Sequence, residues 1–139
     1  MKVQTETITL STQGNADIVN ITPQIQDMIS KSDLVEGSAV IFVVGSTASI
    51  STIEYEGGLK KDLPELMERL ISSDENYQHN LTWGDKNGHS HLRATMFGCS
   101  QVIPFIKSEL MLGTWQQVVL IDFDERPRTR TVVIQLSGK

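Results

Sequence analysis

The fold is decided by one run of six apolar residues, Ala39-Val40-Ile41-Phe42-Val43-Val44, in a chain of 139 residues. Its length and its β-branched side chains predict a buried central strand. Residues 115–123 and residues 131–136 also have strong β character, and the turn residues 124–127 between them predict a β-hairpin. Residues 2–10 alternate between polar and apolar side chains, which predicts a further strand.

Two helices are expected to pack against this sheet. The first begins at Thr22-Pro23, where a hydroxyl cap precedes a proline at the first helical position. The second begins with Asp62 as its N-cap, and Glu65 completes a capping box. Each carries an apolar stripe at helical spacing: Ile25, Met28 and Ile29 in the first, and Leu63, Leu66, Met67, Leu70 and Ile71 in the second. Two or three helices against five to seven strands, without βαβ alternation, predict an α+β layered sandwich with a mainly antiparallel sheet, in a single domain over residues 1–139.

The composition argues against several classes of function. The net charge of −5 gives no support for nucleic-acid binding, which needs a basic face. No apolar run is long enough to span a bilayer, so no membrane partner is expected. The single cysteine, Cys99, cannot form an internal disulfide, which favours a reducing compartment and a cytoplasmic protein. Its apolar neighbours predict a buried, inert thiol.

The three histidines, His79, His89 and His91, lie in or just after a polar segment, residues 73–88, which is predicted to be a long loop. On an extended backbone the rings of His89 and His91 would point to the same side, whereas on a helix they would diverge by about 200°. Residues 89–91 are therefore predicted to be extended, so that three imidazoles converge on a divalent metal such as zinc. One alternative is an anion bound by the rings as hydrogen-bond donors. Another is that the histidines are only solvated or hydrogen-bonded within a polar loop.

Two other segments are candidates for anion binding. Ser46 and Thr47 follow the buried strand, where small hydroxyl residues can offer backbone N–H groups to a phosphate. The alternative is an ordinary tight turn, since the P-loop ending Gly-Lys-Ser/Thr is absent. Arg128 and Arg130 would share a face on a strand and could bind phosphate bidentately. The alternative is a solvated hairpin tip, whose replacement would leave folding little affected.

The order of several motifs resembles the YjbQ-like family. The chain carries Tyr77-Gln-His79, Gly88-His-Ser-His-Leu-Arg-Ala94, Leu112-Gly-Thr-Trp115-Gln116 and Asp122-Phe-Asp124, followed by an Arg-rich turn. The resemblance covers essentially the whole chain and is most specific from residue 77 to residue 130. It implies an α+β sandwich assembled as a homotrimer, with a histidine-lined metal or anion site and secondary thiamine-phosphate synthase activity.

The resemblance implies the roles of the three histidines, and the residue patterns add the other candidates. The candidate catalytic residues are His79, His91 and Glu54, the candidate metal ligands are His79, His89 and His91, and the candidates for binding a phosphorylated small molecule are Ser46, Thr47, Trp115, Arg128 and Arg130. Relatives often have a histidine where this chain has Gly45, and a glycine cannot bind a metal through a side chain. We therefore expect a site that is poorer in ligands, or one shifted toward Glu54.

Two functions follow from these observations. Thiamine-phosphate synthesis joins a pyrimidine diphosphate to a thiazole phosphate and expels pyrophosphate, which basic groups and a divalent metal would assist. The alternative is a non-catalytic protein that binds a metal or another ligand. Metal binding would weaken as the pH falls through about 6.5, whereas anion binding would strengthen. The apolar residues 118–121 additionally predict an exposed surface for a homo-oligomer, most simply a trimer.

Overall fold

The computed structural model describes residues 1–139, which form two antiparallel sheets and a layer of helices. This arrangement confirms the predicted α+β layered sandwich, with four helices instead of two or three. The elements follow one another in this order: β1 (Lys2–Thr12), β2 (Asp17–Asn20), α1 (Thr22–Lys31), β3 (Glu36–Val44), β4 (Ala48–Glu54), α2 (Gly57–Leu70), α3 (Gln78–Trp83), α4 (Gly88–Phe97), β5 (Ser100–Ile106), β6 (Glu109–Leu110), β7 (Gln116–Asp122) and β8 (Arg128–Gly138).

The larger sheet has the strand order β1-β8-β3-β5-β6. The predicted central strand is β3, which pairs with β8 on one side and with β5 on the other. Ala39, Ile41 and Val43 are fully buried in the core between the sheets, whereas Phe42 and Val44 are 41% and 52% exposed. The strand is therefore central, as predicted, but it is buried on one face only.

The smaller sheet, β2-β7-β4, is covered on both faces. Along β7, Val118 and Leu120 belong to the core shared with the larger sheet. Val119 and Ile121 belong to a second core, formed with side chains of α2 and α4. All four are at most 1% exposed. The prediction that residues 118–121 form an exposed oligomer surface is therefore wrong, because this strand lies in the middle layer of the molecule.

The two segments predicted to form a hairpin, β7 and β8, do not pair with each other. β7 pairs with β2 and β4, whereas β8 pairs with β1 and β3. Residues 123–127 therefore lead from the smaller sheet to the larger one. The hairpin prediction is wrong because strand propensity and turn chemistry are local properties, and neither specifies the partner strand.

The helices differ from the prediction in their boundaries. α2 begins at Gly57 rather than Asp62, because the Glu56 carboxylate accepts hydrogen bonds from backbone N–H groups of the first turn. Within its apolar stripe only Met67 is fully buried. Residues 73–88 are not one long loop, since α3 lies within them. None of the four helices is long and apolar enough to cross a membrane.

The prediction for Cys99 is also wrong, because its side chain is exposed. Cys99 directly follows Gly98, which ends α4 in a left-handed backbone conformation with a φ of +85°. The backbone carbonyl of Cys99 accepts a hydrogen bond from Val43 in the sheet. The segment is thus attached to the core through its main chain, and the apolar neighbours in sequence do not cover the thiol.

Candidate functional site

Three connections between the two sheets meet at one edge of the molecule, which we call the corner: residues 13–16, residues 45–47 and residues 123–127. Backbone hydrogen bonds join them, from Asn15 N–H to the Asp124 carbonyl at 2.6 Å and from Phe123 N–H to the Thr47 carbonyl at 2.9 Å. Gly14 has a φ of +78°, and a Cβ there would lie 2.6 Å from a carbonyl oxygen of the third connection. The corner therefore brings together polar side chains from the ends of strands in both sheets.

Arg130 on β8 and Asp122 on β7 form a buried ion pair at the corner. The guanidinium donates to both carboxylate oxygens, from Nε at 2.7 Å and from Nη2 at 2.8 Å. Asp122 is fully buried and the Arg130 side chain is 9% exposed. Thr12 Oγ1 donates to the same carboxylate at 2.6 Å. Burial would raise the pKa of Asp122, but the hydrogen bonds from Arg130, Thr12 and the Asp124 N–H, together with the charge of Arg130, outweigh burial, so that the pKa lies below its ordinary value.

Thr47 connects this ion pair to a second one. Its hydroxyl accepts from Arg130 Nη2 at 2.6 Å and donates to Asp124 Oδ2 at 3.1 Å. Asp124, which is 1% exposed, also accepts from Arg128 Nε at 2.7 Å. The Arg128 side chain is 34% exposed. The solvated-tip interpretation is therefore wrong for Arg130, and both guanidinium groups face buried carboxylates.

His79 on α3 and His91 on α4 lie beside the corner with their rings in contact. The ring centroids are 4.3 Å apart and the ring planes are tilted by 47°. Burial lowers the pKa of His91, and His79 lowers it further, while the charges of Asp124 and Asp85 act in the opposite direction. Neither ring nitrogen of His91 has a hydrogen-bond partner within the chain, and neither is fully buried. His91 is therefore a neutral imidazole at pH 7 whose nitrogens are free to bind a ligand.

His79 is held in place by polar side chains from the turn between α3 and α4. The Asn87 amide satisfies its neighbours when its NH₂ group faces them, and it then donates to His79 Nε2 at 3.1 Å and to the Asp85 carboxylate at 3.2 Å. The same His79 nitrogen lies 3.5 Å from Asp85 Oδ1. A nitrogen that accepts from Asn87 carries no proton, so in this arrangement the ring N–H of neutral His79 lies at Nδ1.

His89 does not join the other two histidines. It lies on α4 rather than on an extended segment, so its side chain diverges from that of His91 by about 200°. The residue is 5% exposed, and Nδ1 has no hydrogen-bond partner. Burial lowers its pKa, and the positive charge of Arg93 lowers it further. The prediction that residues 89–91 are extended is wrong, and the three imidazoles do not converge.

The donor set at the corner does not fit the zinc site that the family resemblance implied. No group of three His, Cys, Asp or Glu side chains in the chain is arranged to hold a metal ion. His89 points elsewhere, and Gly45 supplies no side chain. Catalytic zinc sites use three protein ligands and structural sites use four. The two imidazoles that do meet, His79 and His91, are too few for either type.

The remaining candidates lie partly at the corner and partly far from it. Ser46 is exposed on the connection that contains the buried Thr47. Glu54 lies at the other end of β4, which by strand geometry is roughly 20 Å from the corner. Trp115, which is 72% exposed, lines a separate cavity together with Glu54. Glu54 therefore does not face the histidines and cannot replace the ligand missing at Gly45.

Three residues of the site were not predicted from the sequence: Asp122, Thr12 and Asn87. Asp122 carries the one signal that could have identified it, because the pattern Asp-x-Asp followed by Arg-x-Arg repeats like charges with the period of a strand. No such pattern surrounds Thr12, which is distant in sequence from Asp122, the residue that it contacts. Asn87 is a polar residue in a polar turn, and only the contact with His79 distinguishes it.

The fold and the site define an α+β protein of two stacked sheets with a pair of imidazoles beside a buried network of ion pairs. A family model described as "UPF0047 protein YjbQ-like" matches residues 6–139. A UPF0047 protein of Archaeoglobus fulgidus is 34% identical over 128 residues, which cover 92% of this chain and 97% of the relative. The crystal structure of a YbjQ-like protein of unknown function from Sulfolobus solfataricus P2 matches with a TM-score of 0.94 and 33% identity, covering 99% of both chains. A hypothetical protein from Aeropyrum pernix K1 matches with a TM-score of 0.91 and 32% identity, covering 98% of this chain and 99% of the other.

This chain belongs to the YjbQ-like (UPF0047) family.

Proposed function

We propose that this chain binds a phosphorylated small molecule at the corner and transfers a proton to or from it through His79 and His91, in a transferase reaction of the thiamine-phosphate synthase type. One observation carries this proposal: the two rings are packed 4.3 Å apart, yet both nitrogens of His91 lack a partner within the chain. Imidazoles whose hydrogen-bonding capacity is not used by the fold are suited to proton transfer and to ligand binding.

The chemistry follows from the protonation state of the pair. At pH 7 His91 is neutral, since burial and His79 lower its pKa. It can therefore donate its single N–H to an oxyanion. When pyrophosphate leaves, negative charge develops on its oxygens, and a proton on the pair stabilises that charge. His79, backed by Asp85, is placed to share this proton because the two rings are in contact.

An anion fits the donor set better than a bound metal does. The imidazole N–H groups are donors, and the chain offers no cluster of three metal-binding side chains. Protonation of the imidazoles should strengthen anion binding, whereas metal binding should weaken on protonation. Sulfate is a suitable probe, because its charge does not change between pH 5.5 and 7.5. We expect tighter sulfate binding at pH 5.5, and the opposite trend for a divalent cation would indicate a metal site.

The activity is tested with both thiamine precursors, in the presence and absence of a divalent metal. We expect turnover by the unmodified chain and its loss in His91→Ala. Met96→Ala is the matched control, since Met96 lies on the same helix and is 60% exposed. Binding of the precursors without turnover would instead support a non-catalytic ligand-binding protein. Absence of both binding and turnover would contradict the proposal.

We further propose that the chain assembles as a homotrimer. The face of the larger sheet that points away from the core carries exposed apolar side chains, which we call the outer face: Phe42, Val44, Val102 and Ile106. Apolar side chains gathered on one exposed sheet face are suited to protein–protein contact. Light scattering at micromolar concentration should return three times the 15.5 kDa mass of the chain. A monomer mass would contradict the proposal, and Phe42→Lys should weaken the assembly.

We also propose a cytoplasmic location. The exposed thiol of Cys99 has no cysteine partner within the chain, and free thiols persist in reducing compartments. Fractionation of cells that produce the tagged chain tests this directly.

A further inference from the structure

The guanidinium of Arg130 has one edge that the fold does not use. Nε and Nη2 together make three hydrogen bonds, two to the Asp122 carboxylate and one to Thr47. Nη1 makes none within the chain, although the side chain is only 9% exposed. Nη1 is not among the fully buried unpartnered atoms, so it reaches solvent. A nine-tenths buried cation therefore presents two N–H donors to the outside.

Gly45 is the residue that leaves this edge open. Val44, the last residue of β3, pairs with Thr131 of β8, which places position 45 beside Arg130. A Cβ on Gly45 would lie 2.8 Å from Nη1, closer than such an atom can normally approach. The backbone there has a φ of +150°, which also favours glycine. Any side chain at position 45 would fill the volume that Nη1 faces.

We infer that the exposed Nη1 edge of Arg130, opened by Gly45, binds the phosphoryl group of the small molecule. A guanidinium presents its donors in a planar fork that matches phosphate oxygens, and such charge-assisted bonds are strong.

The Nη1 edge of Arg130 is connected to the histidine pair through Thr47 and Asp124. Thr47 accepts from Arg130 and donates to Asp124, and the charge of Asp124 acts on His91. A phosphate ester bound at Nη1 would therefore lie at the same corner as the imidazole pair. The inference rests on the proposed function for the nature of the ligand, but it makes a separate claim about which residue binds the phosphoryl group and which residue controls access to it.

The test measures binding of inorganic phosphate and of methyl phosphate, by calorimetry, to the unmodified chain and to Gly45→Ala and His91→Gln. We expect both probes to bind, and Gly45→Ala to weaken binding by about tenfold or more, as loss of a charged hydrogen bond does. Gly84→Ala is the control for backbone strain, because Gly84 also has a positive φ but a Cβ there would meet no atom within 4 Å. It should leave the affinity for phosphate unchanged.

A second measurement needs no variant. In the unmodified chain, the side-chain ¹⁵N resonance of Arg130 Nη1, which makes no hydrogen bond within the chain, should shift on addition of phosphate. One result would overturn the inference and leave the proposed function standing: His91→Gln abolishes phosphate binding, whereas Gly45→Ala binds phosphate as tightly as the unmodified chain and the Arg130 resonance does not shift. Binding of inorganic phosphate but not of methyl phosphate would overturn an ester as the ligand. No binding of either probe to the unmodified chain would overturn both.

Discussion

Replacing Arg130 with Gln should destabilise the fold far more than an arginine at a surface turn would. The side chain is 9% exposed, and its partner Asp122 is fully buried. Removing the guanidinium deletes two hydrogen bonds to a carboxylate that stays in the core. Breaking a buried pair from one side typically costs about 3–5 kcal/mol, because the remaining charge is uncompensated.

This free energy corresponds to a large thermal shift. A chain of this length has an unfolding entropy of about 0.3 kcal/mol/K, so the melting temperature should fall by roughly 10–17 °C. Arg128→Gln is the matched control. Because its side chain is 34% exposed, we expect a cost of about 1–2 kcal/mol for that variant.

The pH dependence of the Arg130→Gln penalty provides an independent check. In the unmodified chain the pKa of Asp122 lies below its ordinary value, so its contribution to stability is present above the ordinary pKa and is lost as the pH falls through the lowered one. Without Arg130, burial should raise the pKa of Asp122 instead. The carboxyl group of the variant would then be protonated at a higher pH than in the unmodified chain, and the penalty should shrink on acidification.

Urea unfolding of the unmodified chain, Arg130→Gln, Asp122→Asn, Arg128→Gln and the double variant Asp122→Asn/Arg130→Gln measures these effects. The double variant leaves neither charge buried, so its cost should be smaller than the sum of the two single costs. A cost below about 1 kcal/mol for Arg130→Gln, or a cost equal to that of Arg128→Gln, would refute the view that this ion pair is part of the core.

Three further predictions concern residues outside this pair. His89 is buried with a lowered pKa, so its contribution to stability is present above about pH 6.5 and is lost as the pH falls below that value. The urea midpoints of unfolding at pH 7.5 and at pH 5.5 should therefore differ less in His89→Leu than in the unmodified chain. Arg93 is 4% exposed and donates twice to the Ile71 carbonyl after α2; Arg93→Met should increase amide exchange at the end of α2, and unchanged exchange would contradict this role. Gly14→Ala should destabilise strongly because its Cβ would overlap backbone oxygen atoms, whereas Gly57→Ala, with no atom within 4 Å, should be neutral or stabilise by up to about 1 kcal/mol; thermal melts of both variants measure the difference.

The sequence alone was sufficient to predict the layered α+β architecture and the convergence of two site residues, His79 and His91. The apolar run of β3 and the alternation of β1 are local patterns, and both segments form strands as predicted, although β3 is buried on one face only. His79 and His91 converge as expected, with ring centroids 4.3 Å apart. The histidines are close in sequence and lie on consecutive helices, so a short connection limits how far apart their rings can be.

Only the tertiary structure decided how the strands are paired, and with that the nature of the corner. Residues 115–123 and residues 131–136 read as a hairpin, but they enter different sheets because hydrogen bonds to distant strands determine the pairing. Arg130 is consequently buried against Asp122 instead of exposed at a hairpin tip. In the same way, residues 89–91 carry two histidines in a pattern compatible with either a strand or a helix, and their incorporation into α4 separates the two rings. A local pattern specifies which faces a segment can present, but which face becomes buried depends on partners far away in the chain.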